Sequence, residues 1–242
     1  PSSGDRVFVG RPCAERIDGG GTSRWRFELD GADCQGVVVA DGIVTAAHAR
    51  DGVGTLTRLH ADTGALVDEI TLSTGDETAV ATAIDGTIYA VVTDGPYLET
   101  TATLSAVDPA GAISWTTTLP GPLSPSDMPI AAGIDGPLVG LVVREDEGDV
   151  ARLQAFDSGG NPSWSWSPID AGFEVRSIAA DADGIWVVLG DPAKEYSISG
   201  GVGGPGGIAR LDLQGQLVVA KTTLDDPAIE YARAVASDPC LS

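Results

Sequence analysis

The sequence predicts an all-β chain in which one antiparallel unit is used repeatedly, and three observations carry the prediction. First, an aspartate-glycine turn separates an apolar stretch from a tryptophan-bearing one at Asp108-Pro-Ala-Gly111-Ala-Ile-Ser-Trp115. The same spacing runs from Asp157 through Gly160 to Trp164 and from Asp18 through Gly21 to Trp25, with weaker copies at Asp212 to Gly215 and around Gly64. Second, the aligned glycines Gly21, Gly64, Gly111, Gly160 and Gly215 lie 43, 47, 49 and 55 residues apart, a period of the kind that marks propeller blades. Third, each period divides into four short runs rich in β-branched residues and bounded by turn residues, the signal of consecutive antiparallel strands. Together these predict a β-propeller of four-stranded antiparallel blades. It is expected as a single domain over residues 1–242, with units at about 5–29 plus 230–237, 36–72, 79–119, 128–168 and 174–224.

Taken in order, with the strands of a unit lettered a to d, the first unit shows b over 5–10, c over 14–17 and d over 23–29, and lacks a. The second turns at Asp41-Gly42 inside and at Asp62 to Gly64 outside. The third runs a over 79–84, an Asp85-Gly86 hairpin turn, b over 87–92, c over 102–107, a turn at Asp108 to Gly111 and d over 112–119. The fourth repeats this order over 129–134, 138–143, 151–156 and 162–167, with turns at Asp135-Gly136 and Asp157 to Gly160. The fifth turns at Asp183-Gly184 and Asp212 to Gly215. The segment 231–236, followed by Ser237-Asp238-Pro239, matches a strand a and its turn. One C-terminal strand added to three N-terminal ones completes a fifth blade and leaves no unpaired inner edge. Five blades closed in this way are therefore expected. The alternative is a piece of a ring of about six to eight blades, since the chain begins at Pro1 without an initiator methionine and an upstream segment is expected to have been removed.

Composition narrows the function classes. With 43% hydrophobic residues there is material for a core, so a net charge of -21, from 35 acidic against 14 basic residues, belongs to a surface and does not signal disorder. That charge repels phosphate backbones and anionic lipid headgroups, which argues against nucleic acid as a partner. No run of about 18 apolar residues suggests membrane insertion. A chain so rich in Gly, Ala, Asp and Val with only two lysines also suits a GC-rich bacterial genome or a saline habitat.

Gly207-Ile-Ala-Arg-Leu-Asp-Leu-Gln-Gly215, Val219-Ala-Lys-Thr-Thr-Leu224 and Ala232-Arg-Ala-Val-Ala-Ser-Asp238 resemble bacterial secreted β-propeller repeats, and Asp108 to Trp115 is similar to repeats of quinoprotein-like propellers. The resemblance covers the chain and implies the fold, but such repeats serve adhesins, surface lipoproteins, assembly factors and dehydrogenases alike, so it implies no activity. No adjacent cysteines that would cover a quinone cofactor and no metal motif are present, and no cofactor or metal is expected.

A second resemblance is sharper locally. Arg16-Ile-Asp-Gly-Gly20, Cys34-Gln-Gly36, Ile43-Val-Thr-Ala-Ala-His48 and Asp157-Ser-Gly-Gly160 look like chymotrypsin-type serine protease signatures. Carried over, His48 would be the general base and Ser158 the nucleophile, with Asp94 between them in the chain. The repeat register explains the same residues without catalysis. Asp18 to Gly21 and Asp157 to Gly160 align with the other c–d turns, and 43–48 aligns with strand b of the later units. Phe156 and Ala49 stand where that family has glycine and cysteine, so no catalytic residue is assigned.

His60 is expected to be a solvated turn residue, and the five tryptophans to fill space between neighbouring blades. Asp181-Ala-Asp183-Gly184 lacks the rest of a calcium loop, and Gly200 to Gly207 lacks the Lys-Ser/Thr ending of a phosphate-binding loop. Cys13 and Cys34 are placed on one face of adjacent antiparallel strands and are expected to form a disulfide, with Cys240 unpaired; a disulfide points to an extracellular, cell-surface or periplasmic location. The a–b and c–d turns are short and alike, whereas the b–c and d–a connections vary and are acidic: 73–78, 94–101, 120–127, 144–149, 191–206 and 225–230. That face is expected to bind a protein or glycan, with a cationic partner suiting its charge, through Tyr97, Glu99, Glu145, Asp146, Glu147, Asp149 and Tyr196. The expected function is a non-catalytic, monomeric recognition or scaffold module. The alternative is a carbohydrate-active propeller enzyme, glycosidase or lyase, for which no pair of converging acids can be nominated.

Overall fold

The computed structural model describes residues 5–9, 13–29, 34–95, 100–119, 121, 123, 128–145, 148–168, 173–190 and 206–222. Among them the chain is all β, in five antiparallel sheets whose strands follow chain order. Sheet 1 holds β1 (Arg6–Val9), β2 (Ala14–Ile17) and β3 (Ser23–Phe27). Sheet 2 holds β4 (Cys34–Ala40), β5 (Ile43–Arg50), β6 (Val53–His60) and β7 (Leu66–Thr74), and sheet 3 holds β8 (Glu77–Thr82), β9 (Ile88–Asp94), β10 (Thr101–Val107) and β11 (Ile113–Thr118). Sheet 4 holds β12 (Ile130–Ala132), β13 (Pro137–Glu145), β14 (Gly148–Phe156) and β15 (Pro162–Trp166). Sheet 5 holds β16 (Glu174–Asp181), β17 (Gly184–Gly190), β18 (Gly206–Leu211) and β19 (Leu217–Thr222). These are the blades of a β-propeller, four of them with four described strands and the first with three.

The chain divides into two compact units, Pro1–Pro96 with Thr101–Leu119, which contains sheets 1 to 3, and Tyr97–Thr100 with Pro120–Ser242, which contains sheets 4 and 5. In the first unit β1 lies beside β4 and β4 beside β8; in the second β16 lies beside β12 and β13. The core therefore sits between sheets. Ala47, Leu56, Ile70, Ile88, Ala90 and Val107 join sheets 2 and 3, and Leu138, Leu153, Val175, Ile178, Ile185 and Val187 join sheets 4 and 5. This sandwiching explains the sequence pattern of individual strands. The second strands are covered on both faces, so β9 and β13 are continuous apolar or small runs, whereas fourth strands such as β11 alternate between exposed and half-buried residues.

The repeated turn has one physical cause. The Asp157 carboxylate accepts from the backbone amides of Gly159 (2.9 Å) and Asn161 (2.8 Å), Asp212 does the same for Gln214 (3.0 Å) and Gln216 (2.8 Å), and Asp18 for Gly20 and Thr22 (both 2.9 Å). Each such turn follows a register shift one residue before the aspartate, at Ile17, Val107, Phe156 and Leu211, and the glycine that ends it takes a positive φ, 82° at Gly160 and 78° at Gly215. In sheet 2 His60 replaces the aspartate. The turn keeps its backbone bonds, with Gly64 N donating to His60 O at 2.8 Å, while Thr63 Oγ1 accepts the Ala65 amide. His60 itself is exposed, as a solvated turn residue is.

Two expected loops are strand instead. Arg144 and Glu145 extend β13, and Gly148 and Asp149 extend β14, with Glu145 paired to Gly148 and Arg144 to Asp149, because cross-strand ion pairs carry the ladder outward. The connection expected over 73–78 shrinks to Gly75 and Asp76, whose amides donate to Gly52 O and Thr93 O. The closing strand expected over 231–236, most of the 191–206 connection and Cys240 lie outside the described residues.

Candidate functional site

Of the residues expected on the acidic face, Glu145 and Asp149 are described, and Tyr97, Glu99, Asp146, Glu147 and Tyr196 lie outside the described residues. Glu145 ends β13 and Asp149 is the second residue of β14. Arg152 donates to Glu145 Oε1 at 3.0 Å and Arg144 to Asp149 Oδ1 at 3.3 Å, all four side chains being partly exposed. Glu145 and Asp149, at the facing ends of β13 and β14, are thus each paired with an arginine of the same two strands.

His48 lies in β5 and is 1% exposed. Its Nε2 is 2.9 Å from Thr57 Oγ1, and its Nδ1 is buried without a hydrogen-bond partner. Burial pushes its pKa below the ordinary imidazole value, against a smaller upward pull from Glu69. Ser158 sits in the exposed β14–β15 turn. His48 is held by a threonine in a closed core, so nothing in its surroundings equips it to activate a nucleophile. Among the described residues no group of three His, Cys, Asp or Glu is placed to hold a metal ion.

Cys13 and Cys34 form a disulfide with a Cα–Cα distance of 4.8 Å. Cys34 is the first residue of β4, so the bond ties sheet 1 to sheet 2; it does not join neighbouring strands of one sheet as the sequence suggests. Other long side chains make the same kind of link. Trp25 of β3 lies over Gly64 and donates Nε1 to Ala61 O at 2.8 Å, while Arg16 donates to Asp5 and to Ala61 O at 2.7 Å. In sheet 2, where Asp68 stands at the tryptophan position, Arg58 pairs with Asp68 at 2.6 Å and donates to Pro109 O (2.7 Å) and Ala110 O (3.0 Å) in the sheet 3 turn. That pairing holds the Asp68 carboxyl below the usual range.

A cleft with a volume of about 480 Å³ lies in the second unit, where the short turns of sheets 4 and 5 meet. Its floor is apolar: Leu138, Ala155, Phe156 and Ile185 are buried, and Trp164, seated against Gly215, forms one side. Asp135, Ser158, Ser163 and Gln214 supply polar groups at the rim. The Asp157 carboxylate also lines it, held below the ordinary carboxylate range chiefly by the Asn161 amide and occupied by its own turn. These rim residues belong to the repeated turns, which sequence reasoning treats as punctuation; their convergence depends on two sheets lying side by side and leaves no linear signal.

No protein-family model and no curated protein sequence matches the chain. Solved structures do match in fold. The europium-containing methanol dehydrogenase superposes with a TM-score of 0.55 at 16% identity, covering 90% of this chain and 49% of that one. The Dos1 propeller gives 0.55 at 12%, covering 90% and 57%. BBS1N in complex with ARL6DN gives 0.56 at 12%, covering 91% and 65%. The chain therefore spans about half the length of the first two structures it matches. At these identities the likeness shows the β-propeller fold and nothing of activity.

Proposed function

We propose that this chain is a non-catalytic recognition or scaffold module of β-propeller fold, working outside the cytoplasm and engaging a protein or glycan partner through its acidic loop end. The observation that carries the reading is the employment of its carboxylates. Asp5, Asp62 and Asp68 bind buried arginines, Glu145, Asp149 and Glu174 pair with neighbouring arginines, and Asp18, Asp85, Asp108, Asp157, Asp181 and Asp212 cap turns. A glycosidase needs two carboxyl groups converging on one bond, one of them poised as an acid, and these acids serve the scaffold instead. The disulfide suits an oxidising compartment, and a similar fold is known in complex with a protein, ARL6DN.

The residues concerned are Tyr97, Glu99, Glu145, Asp146, Glu147, Asp149 and Tyr196, of which Glu145 and Asp149 stand at the facing ends of β13 and β14. A run of four acids over 145–149 attracts cationic groups and steers their approach. The test is the binding of a lysine-rich model peptide, measured by surface plasmon resonance at low and high salt. Binding is expected to weaken with salt and on simultaneous replacement of Glu145, Asp146 and Glu147 by alanine. Affinity indifferent to both would reject this end as the working surface, and turnover on a polysaccharide panel would replace recognition by catalysis.

A further inference from the structure

The cleft of the second unit has chemistry of its own. We propose that it is a subsite for one neutral sugar unit of a glycan, at the end of the sheets bearing the short turns and independent of the acidic residues Glu145 and Asp149. Its volume of about 480 Å³ lies within the range of small-ligand sites and accommodates a pyranose ring with its substituents. Charge selects against anions. Among the described residues no Arg, Lys or His lines the cleft, and Asp135 and Asp157 place two carboxylates on it, so a phosphorylated, sulfated or sialylated ligand meets repulsion there.

What remains is a mixture that a sugar matches group for group. A pyranose has an apolar C–H face and a ring of hydroxyls, each able to donate and accept. Trp164 offers the apolar surface above the buried floor, and an indole is the side chain best suited to cover such a face while leaving hydroxyls at the rim. The carboxylate of Asp135 is an acceptor, the Gln214 amide both donates and accepts, and the Ser163 hydroxyl does likewise. Among the described residues nothing partners these three side chains. A simple cation would use the one free carboxylate and leave the amide and hydroxyl donors idle, which is why the observations favour the neutral polyol over an amine.

The rim groups sit on turns fixed by their own backbone bonds, Gly133 N donating to Gly136 O at 2.8 Å and Gly215 N to Asp212 O at 3.0 Å. The site is thus held open by turn geometry, with little to reorganise on binding.

The experiment titrates the full chain with neutral oligosaccharides of glucose, galactose, mannose and N-acetylglucosamine, with sialylated and sulfated glycans, and with spermidine, read by saturation-transfer NMR and calorimetry. Binding of at least one neutral oligosaccharide is expected, weakened about tenfold by Asp135→Ala or Gln214→Ala, as loss of one well-placed hydrogen bond predicts. Both residues are exposed turn positions, so circular dichroism should match the parent; Trp164→Phe adds a milder change to the apolar wall. Glu77→Ala, which removes an exposed carboxylate of β8 in the first unit and outside the cleft, should leave sugar binding unchanged. Preference for spermidine or for anionic glycans, sugar affinity untouched by the cleft variants, or no neutral saccharide bound would each overturn the proposal.

Discussion

At the scale of single residues the most informative side chain is His48. Thr57 Oγ1 lies 3.5 Å from Glu69 Oε1 and donates to it, so its lone pairs receive the Nε2 proton of His48; this network assigns the tautomer and leaves Nδ1 unprotonated and buried. Burial lowers the folded pKa below the value near 6.5 that the unfolded chain keeps, Glu69 raising it and Arg50 lowering it. As pH falls, the unfolded chain therefore takes up the proton first. The stabilisation is complete above the unfolded pKa and is lost as pH drops from there through the folded one. His48→Leu should flatten the pH dependence of Tm between about pH 7 and pH 5, with the exposed His60 as control. An unchanged slope would mean that another group titrates there. Glycine positions are equally decisive. A Cβ on Gly215 would stand 2.7 Å from Trp164 Cδ2 on a backbone at φ 78°, so Gly215→Ala should cost at least about 1–3 kcal/mol in urea unfolding.

At the scale of elements, the links between sheets 1, 2 and 3 differ in kind: a disulfide and the Trp25 indole join the first pair, and the Arg58 guanidinium joins the second. Arg58 donates to a carboxylate and to two carbonyls, a fork that a lysine cannot reproduce. Arg58→Lys should lower stability by about 1–3 kcal/mol, read from the urea midpoint, and should loosen amide protection in the β10–β11 turn. Cys13 and Cys34 are 21 residues apart, so opening their bond should cost about 3 kcal/mol through the regained freedom of the unfolded chain. Comparing unfolding with and without reductant checks this, and identical curves would show that the bond constrains nothing.

At the scale of the whole molecule, a net charge of -21 on 242 residues sets the response to salt. Most carboxylates share the surface with few cations, and their mutual repulsion opposes the compact state. Added sodium chloride screens that repulsion, so Tm should rise from low salt toward about 0.5 M, by which point the Debye length has fallen well below 10 Å. A Tm that falls with salt would mean that the arginine pairs outweigh the repulsion.

The recurring Asp-x-x-Gly turns, the strand order and the five-unit β organisation were legible in the sequence because each rests on contacts within a few residues. Asp157 reaches only to Asn161, and Gly160 needs its positive φ in any context. The ends of β13 and β14 were not legible, because loop composition at 144–149 says nothing of the cross-strand Arg144–Asp149 and Arg152–Glu145 pairs. Nor was the placement of Cys34 in β4, the reach of Trp25 to Ala61 across 36 residues, or that of Arg58 to Pro109 across 51. The tertiary structure alone assembles the cleft, since Asp135, Trp164 and Gln214 meet only where two sheets pack side by side. The repeat by itself determined the turns and the fold they punctuate; packing decided which turns face one another, because that depends on surfaces distant in the chain.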